Sequence, residues 1–71
     1  MVVGIKQTMR MLEQNQLSEV IVARDADHFV VRPLIEMADA RGIAVSYIDT
    51  RKELGRLCGI EIGAATAGRL R

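Results

Sequence analysis

Four consecutive apolar residues, Val20-Ile21-Val22-Ala23, constrain this 71-residue chain more than any other feature. Three of them are β-branched or nearly so in bulk, and no polar residue alternates with them, so they read as a strand buried on both faces of a sheet. A chain this short buries only about 60% of the surface that it exposes when unfolded, which leaves room for one core. The run therefore marks a central strand, and residues 1–71 read as a single domain.

The rest of the chain arranges itself around that strand. Ile5, Met9 and Leu12 fall at i, i+4 and i+7, and Lys6, Arg10 and Glu13 repeat the spacing on another face. That pattern predicts an amphipathic helix over residues 5–15. Asp25 and Asp27 can cap a second helical segment, whose stripe is Val31, Leu34, Ile35 and Ala38 and whose end is Gly42. Pro33 lacks an N–H, so it should mark the first turn or split the segment into a short turn and a helix. Ile43 to Ile48 reads as a second buried strand, with Val45, Tyr47 and Ile48 as β-formers. Thr50-Arg51-Lys52-Glu53 has the spacing of a capping box, so a third helix starts at Arg51, and Gly59 should end it. Ala64 to Leu70 is ambiguous by propensity, because its alanines favour helix while Thr66 and Gly68 do not. Helices alternating with apolar strands imply an α/β fold, a three-layer α/β/α sandwich around a small mixed sheet.

Composition excludes several functions. Ten Lys and Arg against nine Asp and Glu leave a net charge of +1, so any nucleic-acid site must be a local patch. The apolar runs fall far short of the roughly 18 residues that a membrane span needs, and no signal peptide opens the chain; a cytoplasmic protein is the default. Cys58 has no second Cys to pair with, and His28 is the single His. Disulfide and metal chemistry are unsupported, and Cys58 reads as a small buried hydrophobe.

Catalysis needs convergent titratable groups, and none are evident. Asp25 and Asp27 are close in sequence, but helix capping accounts for them, and His28 reads as a first-turn surface residue. Gly55, Gly59 and Gly63 match neither a dinucleotide fingerprint nor a phosphate loop. Arg56 and Glu61 interrupt any apolar span among them, so they read as glycines that end a helix and allow a tight loop. No enzyme and no cofactor are expected.

Two segments remain. In Gly4-Ile5-Lys6-Gln7-Thr8-Met9-Arg10, a Gly opens a helix, and amide and ammonium groups project from its first turn beside free backbone N–H groups. An ordinary solvated helix start has the same spacing. The loop Ile60-Glu61-Ile62-Gly63 holds two bulky apolar residues where polar ones are usual, which suits a contact surface or simple core packing.

Taken together, these segments resemble the L-seven-Ae/L-thirty-e family of kink-turn RNA-binding ribosomal proteins, in particular its small bacterial YbxF-like branch. The resemblance runs through Gly4 to Arg10, the Ala-Arg-Asp-Ala-Asp stretch at Ala23 to Asp27, and Leu-Gly-Arg-Leu-Cys-Gly-Ile-Glu-Ile-Gly-Ala-Ala at Leu54 to Ala65. The last is the longest and most specific. It implies that Gly4, Ile5, Lys6, Gln7 and Arg10 meet tandem sheared G·A pairs and nearby phosphates. It also implies that Ile60, Glu61 and Ile62 hold an extruded nucleotide, that Arg24, Arg51, Lys52 or Arg56 adds phosphate contacts, and that Ala64 to Leu70 is a strand. The implied partner is structured RNA containing a kink-turn, whether within the ribosome or outside it. No DNA, membrane or metal partner is expected, and the chain is expected to act as a monomer. The resemblance further implies a helix and strand segment before the first motif in relatives, and this chain is expected to lack that N-terminal helix.

Lys6-Gln7 stands where archaeal members typically carry Asn-Glu, and Ile5 replaces a usual Thr. Gln7 can donate and accept, whereas an ionised Glu only accepts, so hydrogen bonding here differs in kind. The alternative is a protein–protein interaction module on the same fold. Replacing both Lys6 and Arg10 separates the two, because RNA binding should be abolished whereas a protein interface should change little unless its partner is acidic.

Overall fold

The structure, a computed structural model, describes residues 1–71. The elements in chain order are β1 (Val2–Val3), α1 (Ile5–Glu13), β2 (Leu17–Ala23), α2 (His28–Ala40), β3 (Ala44–Ile48), α3 (Arg51–Leu57) and β4 (Thr66–Leu70). The four strands form one mixed sheet in the order β1-β4-β2-β3, with β2 and β3 parallel and the other pairs antiparallel. Helices α1 and α2 pack against each other on the sheet, while α3 packs against β2, β3 and β4. The expected three-layer α/β/α sandwich is what forms.

The apolar run does lie at the centre. Val20 to Ala23 are all buried, and β2 pairs on both sides, with β4 and with β3. Around them close Leu12 from α1, Val31, Leu34 and Ala38 from α2, Leu54 from α3 and Ala67 from β4. Leu12, Leu17, Leu34 and Leu54 are shut off from solvent, and emptying any one of them would cost about 2–5 kcal/mol.

All three helices end alike. Asn15, Gly42 and Gly59 follow their last turns with φ of 57°, 69° and 76°. The next N–H, of Gln16, Ile43 or Ile60, reaches back to the carbonyl of Met11, Ala38 or Gly55. This is the left-handed C-terminal turn that glycine favours and asparagine tolerates. It ends α1 at Glu13, two residues before the expected Asn15.

Four expectations need correction. Pro33 neither opens nor breaks α2 but sits inside a continuous helix. It removes one bond, to the carbonyl of Phe29, and both residues are exposed, so water can take the place of the lost N–H. The strand read as Ile43 to Ile48 spans Ala44–Ile48 and is half-buried rather than buried, because β3 is an edge with one neighbour. Cys58 is half-buried. Partial burial pushes its thiol up, and it donates to Met1 Sδ at 3.5 Å.

The fourth concerns the aspartates. Asp27 caps α2, accepting from Phe29 N–H at 2.9 Å, but Asp25 accepts from Arg51 N–H at 2.8 Å, at the start of α3. Thr50 fulfils its half of the expected box, accepting from Glu53 N–H at 3.1 Å. Asp25 thus supplies the second cap of α3 from a different loop.

Candidate nucleic-acid interface

Strand pairing brings two of the candidate residues, Gly4 and Arg24, to one end of the sheet. Gly4, which opens α1, donates its N–H to the carbonyl of Thr66 at 2.9 Å, where β4 begins. Ala23, which ends β2, donates to the carbonyl of Ala65 at 2.9 Å, and Arg24 donates to Ile48 at the end of β3 at 2.8 Å. Across that end therefore lie the start of α1, the entry to β4, Arg24 and the end of β3, about 5 Å apart from strand to strand.

Gly4 earns its place through its backbone. Its φ of 98° and ψ of 157° belong to a region nearly reserved for glycine, and a Cβ there would meet nothing within 4 Å. The conformation, not close approach of another backbone, calls for glycine. No side chain caps α1 and no carboxylate lies in its first turn, so its free N–H groups keep their positive character. Lys6, Gln7 and Arg10 are exposed, and neither Lys6 nor Arg10 joins an ion pair. Arg10 stands one turn behind Lys6, with a depression between them lined by Ile5, Met9, Glu13 and Gln14. Ile5 is half-buried against the core.

The apolar loop doubles back along α3. Ile60 donates its N–H to Gly55 at 3.0 Å, the Ile62 carbonyl lies against Gly55, and Ala64 donates to Arg51 at 3.0 Å. Gly63 rests on Arg51, where an added Cβ would come within 3.2 Å of the arginine Cβ. Gly55 and Gly63 thus permit the tight loop that their spacing suggested. The two isoleucines divide the alternatives between them. Ile60 is half-buried against the core, and Ile62 is 75% exposed beside the exposed Glu61.

Arg24 is placed less simply. Its guanidinium lies 5.3 Å from the centre of the Tyr47 ring and 3.5 Å from Asp49, so it turns toward β3 rather than toward α1. Sequence reading missed Asp25 as the link between this loop and α3. It placed Arg51 at a helix start, but its partner lies far off in sequence. A shallow polar depression lined by Asp25, Arg51, Lys52 and Gly63 marks the junction.

The chain matches the model of the "Ribosomal protein L7Ae/L30e/S12e/Gadd45 family" over residues 1–71. It belongs to that family. It is 48% identical over 66 residues to an RNA-binding protein of Caldanaerobacter subterraneus, covering 93% of this chain and 80% of that one. It is 40% identical over 70 residues to the RNA-binding protein YbxF of Geobacillus stearothermophilus, covering 99% and 85%. Its fold is that of the Giardia lamblia 15.5kD RNA binding protein, with a TM-score of 0.90 at 23% identity over 97% of this chain and 58% of that one. The family is the one whose motifs Gly4 to Arg10 and Leu54 to Ala65 resemble, and the YbxF-like likeness holds. These relatives carry the names of binding proteins, not of enzymes. No helix is long and apolar enough to cross a membrane.

Proposed function

We propose that this member of the L7Ae/L30e family binds RNA and holds a kink-turn in its bent form. The bond from Gly4 N–H to the Thr66 carbonyl carries the reading, because it ties the start of α1 to the strand that follows the apolar loop. On this reading two segments far apart in sequence act as one surface. Gly4, Ile5, Lys6, Gln7 and Arg10 form its basic wall, and Ile60, Glu61 and Ile62 its apolar one. On this reading Lys6 and Gln7 offer donors to the edges of sheared G·A pairs, Arg10 neutralises phosphate, and exposed Ile62 meets an extruded base. Arg24 adds charge at the far side. The names of the relatives support RNA as the partner.

The mechanism is selection of a shape. A protein that binds the kinked conformer better than the open one shifts the RNA toward the kink by that difference in affinity. No cofactor enters. Such work belongs in the cytoplasm, on ribosomal or other structured RNA.

The test is an electrophoretic titration against a kink-turn RNA and the same RNA with its G·A pairs replaced, at two salt concentrations. The native RNA should bind far more tightly at both, with affinity falling as salt rises. Equal affinity for the two RNAs would end the claim of kink-turn recognition.

A further inference from the structure

The sequence holds one Phe, one Tyr and no Trp, and neither ring is used in the core. Phe29 is 86% exposed and Tyr47 49%. A domain this small needs its apolar mass inside, so two rings turned outward demand an explanation. They line one groove, with His28, Arg32, Ile35 and Glu36, between the start of α2 and the edge strand β3. Arg24 joins from beside it through its contact with Tyr47. Of these residues, only Arg24 belongs to the surface proposed above.

We propose that this groove is a second nucleotide subsite, which stacks an unpaired base of the same RNA outside the kink-turn. The inference rests on the kink-turn reading and extends its footprint. Aromatic faces interleaved with guanidinium groups form a platform for bases, and they tolerate any sequence because every base has a π-face. Arg24 and Arg32 are paired with Asp49 at 3.5 Å and Glu36 at 2.9 Å, but all four side chains are mostly exposed. Exposed ion pairs contribute only about 0–1 kcal/mol, so either arginine can exchange its carboxylate for a phosphate. The groove is also continuous with the first surface. Arg24 follows Ala23, which is bonded to Ala65 at the entry to β4, and His28 opens α2 at the same end. Strand following the kink-turn could run from one surface to the other over that end.

Tyr47 reports on the site directly, since the chain has no other Tyr and no Trp. Its fluorescence is followed while two RNAs are titrated, a kink-turn ending flush and the same kink-turn with a short single-stranded extension. Free tyrosine amide serves as the absorbance control. Both RNAs should bind, with the extended one tighter and alone in quenching Tyr47. Phe29→Leu, which keeps the apolar bulk and loses the aromatic face, should remove the extension's advantage, about fivefold or more, and leave the flush RNA unchanged. Equal affinity and no quenching, with both RNAs bound, would overturn the subsite, spare the kink-turn reading and leave the groove to a protein partner. A Phe29→Leu loss equal for both RNAs would overturn it too. Failure of the flush RNA to bind would remove both readings together.

Discussion

The main-chain N–H of Arg51 donates to the Asp25 carboxylate at 2.8 Å, across 26 positions of sequence. The same carboxylate lies 3.5 Å from the Arg51 guanidinium, and the Arg51 carbonyl in turn accepts from Ala64. Asp25 thus holds the start of α3, and α3 holds the apolar loop. Replacing a helix cap by alanine typically costs about 1 kcal/mol, while the exposed ion pair adds little. Asp25→Ala should therefore lower the unfolding free energy measured in urea by that amount, and Asp25→Asn, whose amide oxygen still accepts, should recover most of it.

At Gly55, helix propensity and packing make opposite demands. Alanine is better than glycine inside a helix by about 1 kcal/mol. A Cβ at Gly55, however, would collide with the main-chain carbonyl of Ile62, which cannot rotate away as a side chain could. Overpacking of this kind costs typically about 1–3 kcal/mol, so the clash wins. Gly55→Ala should lower stability in urea unfolding and, by displacing Ile62, weaken RNA binding more than a substitution at an exposed residue outside the surface, such as Asp39→Asn. A variant as stable as the parent would show that the loop does not pack on α3 in this way.

Gly4 tests the opposite case, in which space is free and conformation is not. A side chain there meets no atom, yet its φ of 98° is strained for any L-residue. Gly4→Ala should cost about 1–3 kcal/mol by calorimetry and disturb the first turn of α1. A parallel loss of RNA affinity is expected if Lys6 and Gln7 need that turn.

Stability should also depend on acid through Glu19. The Ser46 hydroxyl from β3 and the Arg69 guanidinium from β4 both donate to its carboxylate, binding the three strands together. The Ser46 bond first, then the Arg69 bond, hold its carboxyl below the usual glutamate range against the opposing effect of burial. A carboxyl depressed in the folded state stabilises fully above its unfolded value and loses that contribution as pH falls through the folded one. Urea midpoints measured downward from the ordinary glutamate range should therefore drop, and Glu19→Gln should flatten that part of the profile. An unchanged slope would show that Glu19 gains nothing on folding.

Much of this architecture is legible in the sequence because it is written locally. Val20 to Ala23 declare a central strand by composition, Thr50 declares a helix start, and Gly42 and Gly59 declare two ends. What stays hidden depends on partners remote in sequence. Val2 and Val3 form a strand only because Gly68 and Ala67 lie opposite them. No local pattern distinguishes the edge position of β3 from a central one, since apolar residues serve both. Asp25 looks like a cap for the nearest helix, but its partner is on a later one. In Ala64 to Leu70 the Ala-rich local preference is overruled from Thr66 onward by two neighbouring strands, β1 and β2. The candidate surface follows the same rule. Lys6, Gln7 and Ile62 could be named from their segments, whereas the Gly4–Thr66 bond that ties the start of α1 to β4 is purely tertiary.

Lys6 and Arg10 offer a way to divide that surface by mechanism rather than by proximity. They are exposed, unpaired and one helical turn apart, but they need not act alike. A cation that neutralises one phosphate releases counterions, and its loss lowers the slope of log affinity against log salt by roughly 1. A donor to a base edge changes affinity with little effect on slope if it meets no phosphate. Arg10→Ala should therefore weaken binding and flatten the salt dependence by about that amount, and Gln7→Ala should weaken binding at an unchanged slope. Lys6→Ala is the informative case, because a flexible ammonium can donate to a phosphate or to a base edge. A flattened slope assigns it to phosphate, and a parallel line at lower affinity assigns it to a base. If all three variants bind like the parent at every salt concentration, the start of α1 is not the RNA-binding wall.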